Sequence, residues 1–338
     1  MGLLATLSAV GTALGPSFGG MLISGFGWPA LFLVNIPLGL LTLGLAWYSL
    51  PVREVPLKPE GVRLDVTGTL LLAMTLAAYA LAMTSEHGNF GGLNLALLLI
   101  ALVGGGLFIR AQSRAVSPLI PLAVFRDKQL VSGLATSALV ATVLMATLLV
   151  GPFYLSITLG LPAAFVGLAL AAGPSVAALA GVPAGRLADR FGVQPMRLAG
   201  LATMVLGCLM LSLVSPALGI VGYLTAIVVT TLGYAFFQTA NNTAVMADVA
   251  AQRRGVIAGL LNLSRNLGFF TGASVLGAVF AAAAATNDIT HASPATVTNG
   301  LHMTFAVALA MMTLALLIAW KSRVPEPLPK PRDNPSQA

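Results

Sequence analysis

The sequence predicts an all-α fold, a polytopic membrane helix bundle of about ten transmembrane helices, and three observations carry that prediction. Hydrophobic residues make up 57% of the 338 residues and charged residues only 8%, about a third of the charge that a water-soluble chain carries. Apolar runs of roughly 20 residues, long enough to cross a bilayer core, recur from one end to the other. Backbone groups in hydrocarbon must be satisfied within their own segment, so these runs are helices. The third observation is that all but one of the lysines and arginines fall in alternate connections between the runs.

In chain order, the spans lie at about 2–24 and 30–50, then 66–85 and 93–110, then 130–156, 163–184, 196–215, 219–247, 255–285 and 300–320. The connection after the second span carries Arg53, Lys58 and Arg63, and that after the fourth Arg110, Arg114, Arg126 and Lys128. Arg186, Arg190 and Arg197 follow the sixth span, Arg253 and Arg254 the eighth, and Lys321, Arg323, Lys330 and Arg332 the tenth. Sixteen of the 17 basic residues therefore share one side, and the intervening connections hold none. The positive-inside rule makes that side cytoplasmic and puts both termini inside, in a multi-pass protein of a bacterial inner or plasma membrane. Sidedness of this kind explains the net charge of +7 through the lipid bilayer and excludes nucleic acid as a partner. Trp28, Trp47 and Trp320 fall at span ends, where amphipathic rings meet the headgroups.

Two stretches interrupt the helices. Residues 51–65 carry Pro51, Pro56, Pro59 and mixed charge, and residues 111–128 carry Pro118 and Pro121. They bracket a two-helix insert. The tail from 324 to 338 is rich in proline and polar residues, the composition of a disordered cytoplasmic segment. The first span repeats in the ninth: Gly2, Leu3, Leu4, Gly11, Gly15, Ser17 and Gly20 match Gly259, Leu260, Leu261, Gly268, Gly272, Ser274 and Gly277. The second repeats in the tenth, with Gly27, Phe32, Ala46, Trp47 and Ser49 answering Gly300, Phe305, Ala319, Trp320 and Ser322. Repeats of equal orientation eight spans apart imply a six-helix unit used twice, with four helices expected upstream of Met1. The domains expected are thus 1–50, the last two helices of an N-terminal six-helix half; 51–128, linkers and insert; 129–323, a C-terminal six-helix half; and the tail.

Two motifs carry function. On the first span, Gly11, Gly15 and Gly19 lie four residues apart on one helix face and admit a neighbouring backbone, while Pro16 removes a helical hydrogen bond and bends the helix. With Gly2 and Gly20, this stretch resembles the antiporter motif on the fifth helix of major facilitator superfamily exporters, which packs the two halves together. Gly185, Arg186, Leu187, Ala188, Asp189, Arg190, Phe191 and Gly192 resemble the superfamily's cytoplasmic loop motif. The expectation there is a tight turn whose terminal glycines take unusual dihedrals, with Asp189 facing a helix N-terminus and Arg190 pairing with carbonyls or a carboxylate. Together with the insert, these features resemble the fourteen-helix drug:proton antiporter family across essentially the whole chain.

That resemblance implies efflux of hydrophobic or cationic drugs by proton antiport through alternating access, with protons and a small hydrophobic substrate as partners and no cofactor. All ten acids lie in connections, at span ends or in the tail, so the coupling carboxylates are expected in the absent helices; Glu86 and His87 are candidates for an outer proton relay. Alternatives are a truncated fragment without transport activity and a solute importer of the same superfamily. No nucleophile with its base, metal-ligand spacing or phosphate loop is visible, so no enzymatic activity is expected.

Arg265 is the one charge expected at bilayer depth, where it must face protein or water. Asn262 and Asn266 flank it at helical spacing, and Gln238, Asn241 and Asn242 lie about as far before the cytoplasmic turn at 248–254. These residues are expected to line the cytoplasmic half of a central cavity, with Tyr154, Phe236 and Phe237 as aromatic contacts for a lipophilic substrate.

Overall fold

A computed structural model describes residues 22, 29–49, 65–84, 91–115, 118–247, 249–250, 253–284 and 292–322. The described chain is helical with no strand, and eight of its helices are long and apolar enough to cross a membrane. They are the eight spans expected from the third to the tenth. The expected second span is a short helix α1 (Ala30–Leu33) continuing through Val34, which keeps helical angles, into α2 (Asn35–Ser49). The expected first span with Gly2, Gly11, Gly15, Pro16, Gly19 and Gly20 lies outside the described residues. So do Glu86, His87 and the tail.

The insert is a hairpin of α3 (Val66–Thr84) and α4 (Gly92–Arg114). Asp65 caps α3 by accepting from the Gly68 N–H at 2.8 Å, and its other oxygen accepts from Gln112 Nε2 at 2.5 Å. Gln112 is buried and its own oxygen accepts from the Ile120 N–H at 3.0 Å. One carboxylate thus ties the start of α3, the end of α4 and the second linker together. The Gly68 N–H, then the Gln112 amide, hold the Asp65 carboxyl below the ordinary carboxylate range.

Six spans form the C-terminal bundle: α5 (Lys128–Phe153), α6 (Ala163–Phe191), α7 (Val193–Leu213), α8 (Gly219–Met246), α9 (Arg254–Thr271) with α10 (Gly277–Ala283), and α11 (Pro294–Lys321). A wider π-helical turn, Gly272–Leu276, joins α9 to α10, and another, Tyr154–Thr158, extends α5 just after Pro152. Local sequence sets the ends. Asp127 caps α5 by accepting from the Gln129 and Leu130 N–H groups, and Ser293 with Pro294 starts α11.

Packing follows the small residues. α7 lies along α8 and α11, α6 along α8, and α9 and α11 along α5. The α7–α8 contact is close because Gly200 and Gly233 face each other: a Cβ on Gly233 would meet Gly200 O and Met204 N, each at 2.7 Å. The core between these helices includes Val143, Leu201, Met204, Phe237, Leu301 and Phe305. The hairpin docks on α9 near its N-terminal end, where Leu71, Leu72 and Phe108 pack with Ile257, Leu260 and Leu261. Tyr79 on α3 is hydrogen-bonded to Thr271, the residue before the π-helical turn of α9.

Candidate translocation surface

The amphipathic helix α9 organises the site. Ile257, Leu260, Leu261 and Gly268 are buried, while Asn262 and Asn266 are exposed and Arg265 is half-buried between them. A polar stripe carrying a fixed charge is costly against lipid, so this face of α9 belongs to protein or water. On α8, Gln238 and Asn242 are half-buried four residues apart, and Tyr234 continues the same stripe one turn further in. Phe236 is half-buried beside the stripe and packs against Ala188, Met196 and Ala240.

The expectation that the two polar clusters share one depth has a structural basis in α5 rather than in direct helix contact. Asn241 on α8 donates from Nδ2 to Gly133 O at 3.2 Å, and Ser264 on α9 donates from Oγ to Leu134 O at 2.5 Å. Consecutive carbonyls of α5 thus hold both helices in register. The two hollows that stand out on the molecule, each about 470 Å³, lie elsewhere. One is lined by Leu209, Leu213 and Val221 between α7 and α8, the other by Thr158, Asn299 and His302, and neither includes a residue of the polar stripes.

The sequence profile of the Major Facilitator Superfamily matches residues 1–273. The chain belongs to that superfamily. Membership places it among membrane transporters rather than enzymes. It is 30% identical to the multidrug resistance protein Stp of Mycobacterium tuberculosis, over 83% of this chain and 52% of that protein. It is 29% identical to the multidrug efflux pump LfrA of Mycolicibacterium smegmatis, over 82% of this chain and 55% of the pump. A third relative is the riboflavin transporter RibZ of Clostridioides difficile, 27% identical over 83% of this chain and 60% of the transporter. The chain thus spans about half the length of the curated relatives it matches.

Within this major facilitator chain, the structure revises four sequence expectations. The loop motif is not a loop: Gly185, Arg186, Asp189 and Arg190 form the last turns of α6, and only Gly192, with φ of 89°, makes the turn into α7. Gly185 is helical with open space around it, because two residues of positive-φ geometry are unnecessary when one glycine ends a helix. Asp189 and Arg190 are exposed, the latter 5.4 Å above the Phe191 ring. Tyr154 and Phe237 are fully buried in the core of the bundle, with Tyr154 stacked on Tyr223. Asn241 is also fully buried, its amide spent on α5.

The fourth revision is that Arg265 is not the one charge inside a span. Arg197 falls one turn inside α7, which starts at Val193, and is 0% exposed. The sequence places Arg197 at the very start of the span expected at 196–215, where it counts with the basic connection; the helix begins three residues earlier. Tyr234 is the site residue that sequence reasoning missed; its spacing of four from Gln238 was the available signal.

Proposed function

We propose that this chain is part of a secondary active exporter that moves hydrophobic, including cationic, compounds out of the cell in exchange for protons by alternating access. Its place is the cell membrane, with both termini cytoplasmic. The observation that carries the reading is the polar stripe of Asn262, Arg265 and Asn266, turned away from the core within an apolar span. A helix face of this kind lines a path for solute, and two relatives whose names specify multidrug resistance or efflux support export of drugs.

The charge on that surface sorts substrates. Arg265 repels a cation at its own depth, so neutral lipophilic compounds fit this surface best, and cationic ones depend on carboxylates outside it. Amides and the Tyr234 hydroxyl supply hydrogen bonds of either polarity.

The test is flux in proteoliposomes of the full-length protein under an imposed proton gradient, with a neutral and a cationic dye as probes. Outward movement of dye driven by inward proton flow is expected. Replacing Arg265 by Gln should change the ratio of the two dye fluxes roughly tenfold in favour of the cation, the equivalent of about 1.4 kcal/mol of electrostatic discrimination. Dye movement independent of the gradient sinks proton antiport, and an unchanged ratio removes Arg265 from the path. The relative named as a riboflavin transporter favours a second reading, movement of a polar aromatic solute; gradient-driven uptake in place of efflux would establish it.

A further inference from the structure

Away from the polar stripes, a second polar cluster sits at the cytoplasmic end of the bundle. Arg197 is 0% exposed, and its Nη2 donates to Ser132 Oγ at 2.7 Å and Thr136 Oγ1 at 3.0 Å on α5. Ser132 Oγ also accepts from Ser322 Oγ at 2.8 Å, at the C-terminal cap of α11. Nε and Nη1 of Arg197 have no hydrogen-bond partner among the described residues. Neither do both amide atoms of Gln194, three residues earlier on the same helix face, nor Oδ1 of the fully buried Asn241. Asn241 donates to Gly133 O, next to Ser132 on α5, so its amide lies beside the same stretch of helix as the guanidinium.

A guanidinium is permanently charged. Two hydroxyl groups satisfy two of its hydrogens and neutralise none of its charge, and buried cations are paired. The three carboxylates among the described residues are engaged or remote: Asp65 holds Gly68 and Gln112, Asp127 caps α5, and Asp189 is exposed at the end of α6.

We propose that Arg197, with Gln194 Nε2 beside it and the hydroxyls of Ser132 and Thr136 fixing its orientation, forms a site for one monovalent anion. The ligand is a chloride-sized free ion. Bound there, the anion holds together the cytoplasmic ends of α5, α7, α8 and α11. This site stands on the packing of the six-helix bundle alone and is independent of the export reading.

The experiment is the thermal midpoint of the purified full chain in detergent, with chloride titrated against gluconate at constant ionic strength. Chloride is expected to raise the midpoint saturably, and Arg197→Met to abolish the rise while Arg197→Lys keeps part of it. Should the methionine variant not fold, Gln194→Leu decides. It keeps the charge, removes one donor and is expected to raise the half-saturating chloride concentration about tenfold, the cost of one hydrogen bond to a charged group. Insensitivity of the native protein to chloride overturns the proposal, as does a chloride response that Arg197→Met and Gln194→Leu leave unchanged.

Discussion

Single residues set the closest contacts in this bundle, and glycine does so where two helix backbones meet. Gly233 faces Gly200 O and Met204 N with no room for a methyl group, and both neighbours are backbone atoms that cannot swing aside. Alanine at 233 is therefore expected to lower stability by about 1–3 kcal/mol through overpacking, read as a lower thermal midpoint in detergent. Gly167 on α6 is the internal control. Nothing lies within 4 Å of the Cβ it would gain, so alanine there should be neutral or stabilising by up to about 1 kcal/mol through helix propensity. Equal losses at the two positions would show that close approach is not what Gly233 provides. The stripe of Asn262, Arg265 and Asn266 was legible at this scale from spacing alone, because polar residues in an apolar run have few places to go. The burial of Arg197 was not, because a charge one turn inside a helix and one just outside it look identical in sequence.

At the scale of elements, the insert is the piece whose placement is most specific. α3 and α4 form a hairpin whose start, end and following linker meet at the Asp65 carboxylate, and Tyr79 and Leu71 hold the hairpin to α9. The Asp65 carboxyl titrates below its ordinary range in the folded chain, since the Gly68 N–H and the Gln112 amide favour the ionised form. A group with a depressed folded pKa adds stability above its unfolded pKa, about 3.9 for aspartate, and that stability is lost as pH falls through the folded value. The thermal midpoint is therefore expected to be flat at neutral pH and to fall in acid, below about pH 4 for this group's contribution. Asp65→Asn should start lower at neutral pH and show a shallower acid decline. An identical acid decline in the variant would mean that other carboxylates carry it. The sequence set this helix pair apart by the proline-bearing stretches on either side, yet it held no sign of which helix receives it: Thr271 and Tyr79 lie 192 residues apart.

For the whole molecule, the alternation of basic connections predicts sidedness, and two engineered thiols test it. Cys208 is buried on α7 and should stay silent. Ala217, exposed in the connection between α7 and α8, is expected to be outside, and Arg190, exposed at the end of α6, inside. These positions avoid Gly160 and Gly192, whose φ angles of 65° and 89° would strain any other residue. A membrane-impermeant maleimide added to intact cells should label Ala217→Cys and spare Arg190→Cys, with both labelled after lysis. Labelling of both in intact cells would undo the topology.

What the sequence determined by itself is the solvent, the number and order of the described spans, and the superfamily. Each of these follows from composition along the chain, since a helix in lipid must satisfy its own backbone and hide its own charge. Tertiary structure alone decided which polar residues stay open and which are spent inside: Asn241 and Asn242 are neighbours, yet one is buried and bonds α5 and the other is half-buried. It also decided that Arg197 is enclosed, that the motif from Gly185 to Arg190 is helix, and that α5 sets the common depth of α8 and α9. Neighbouring residues on a helix point about 100° apart, so their environments depend on partners that arrive from distant sequence.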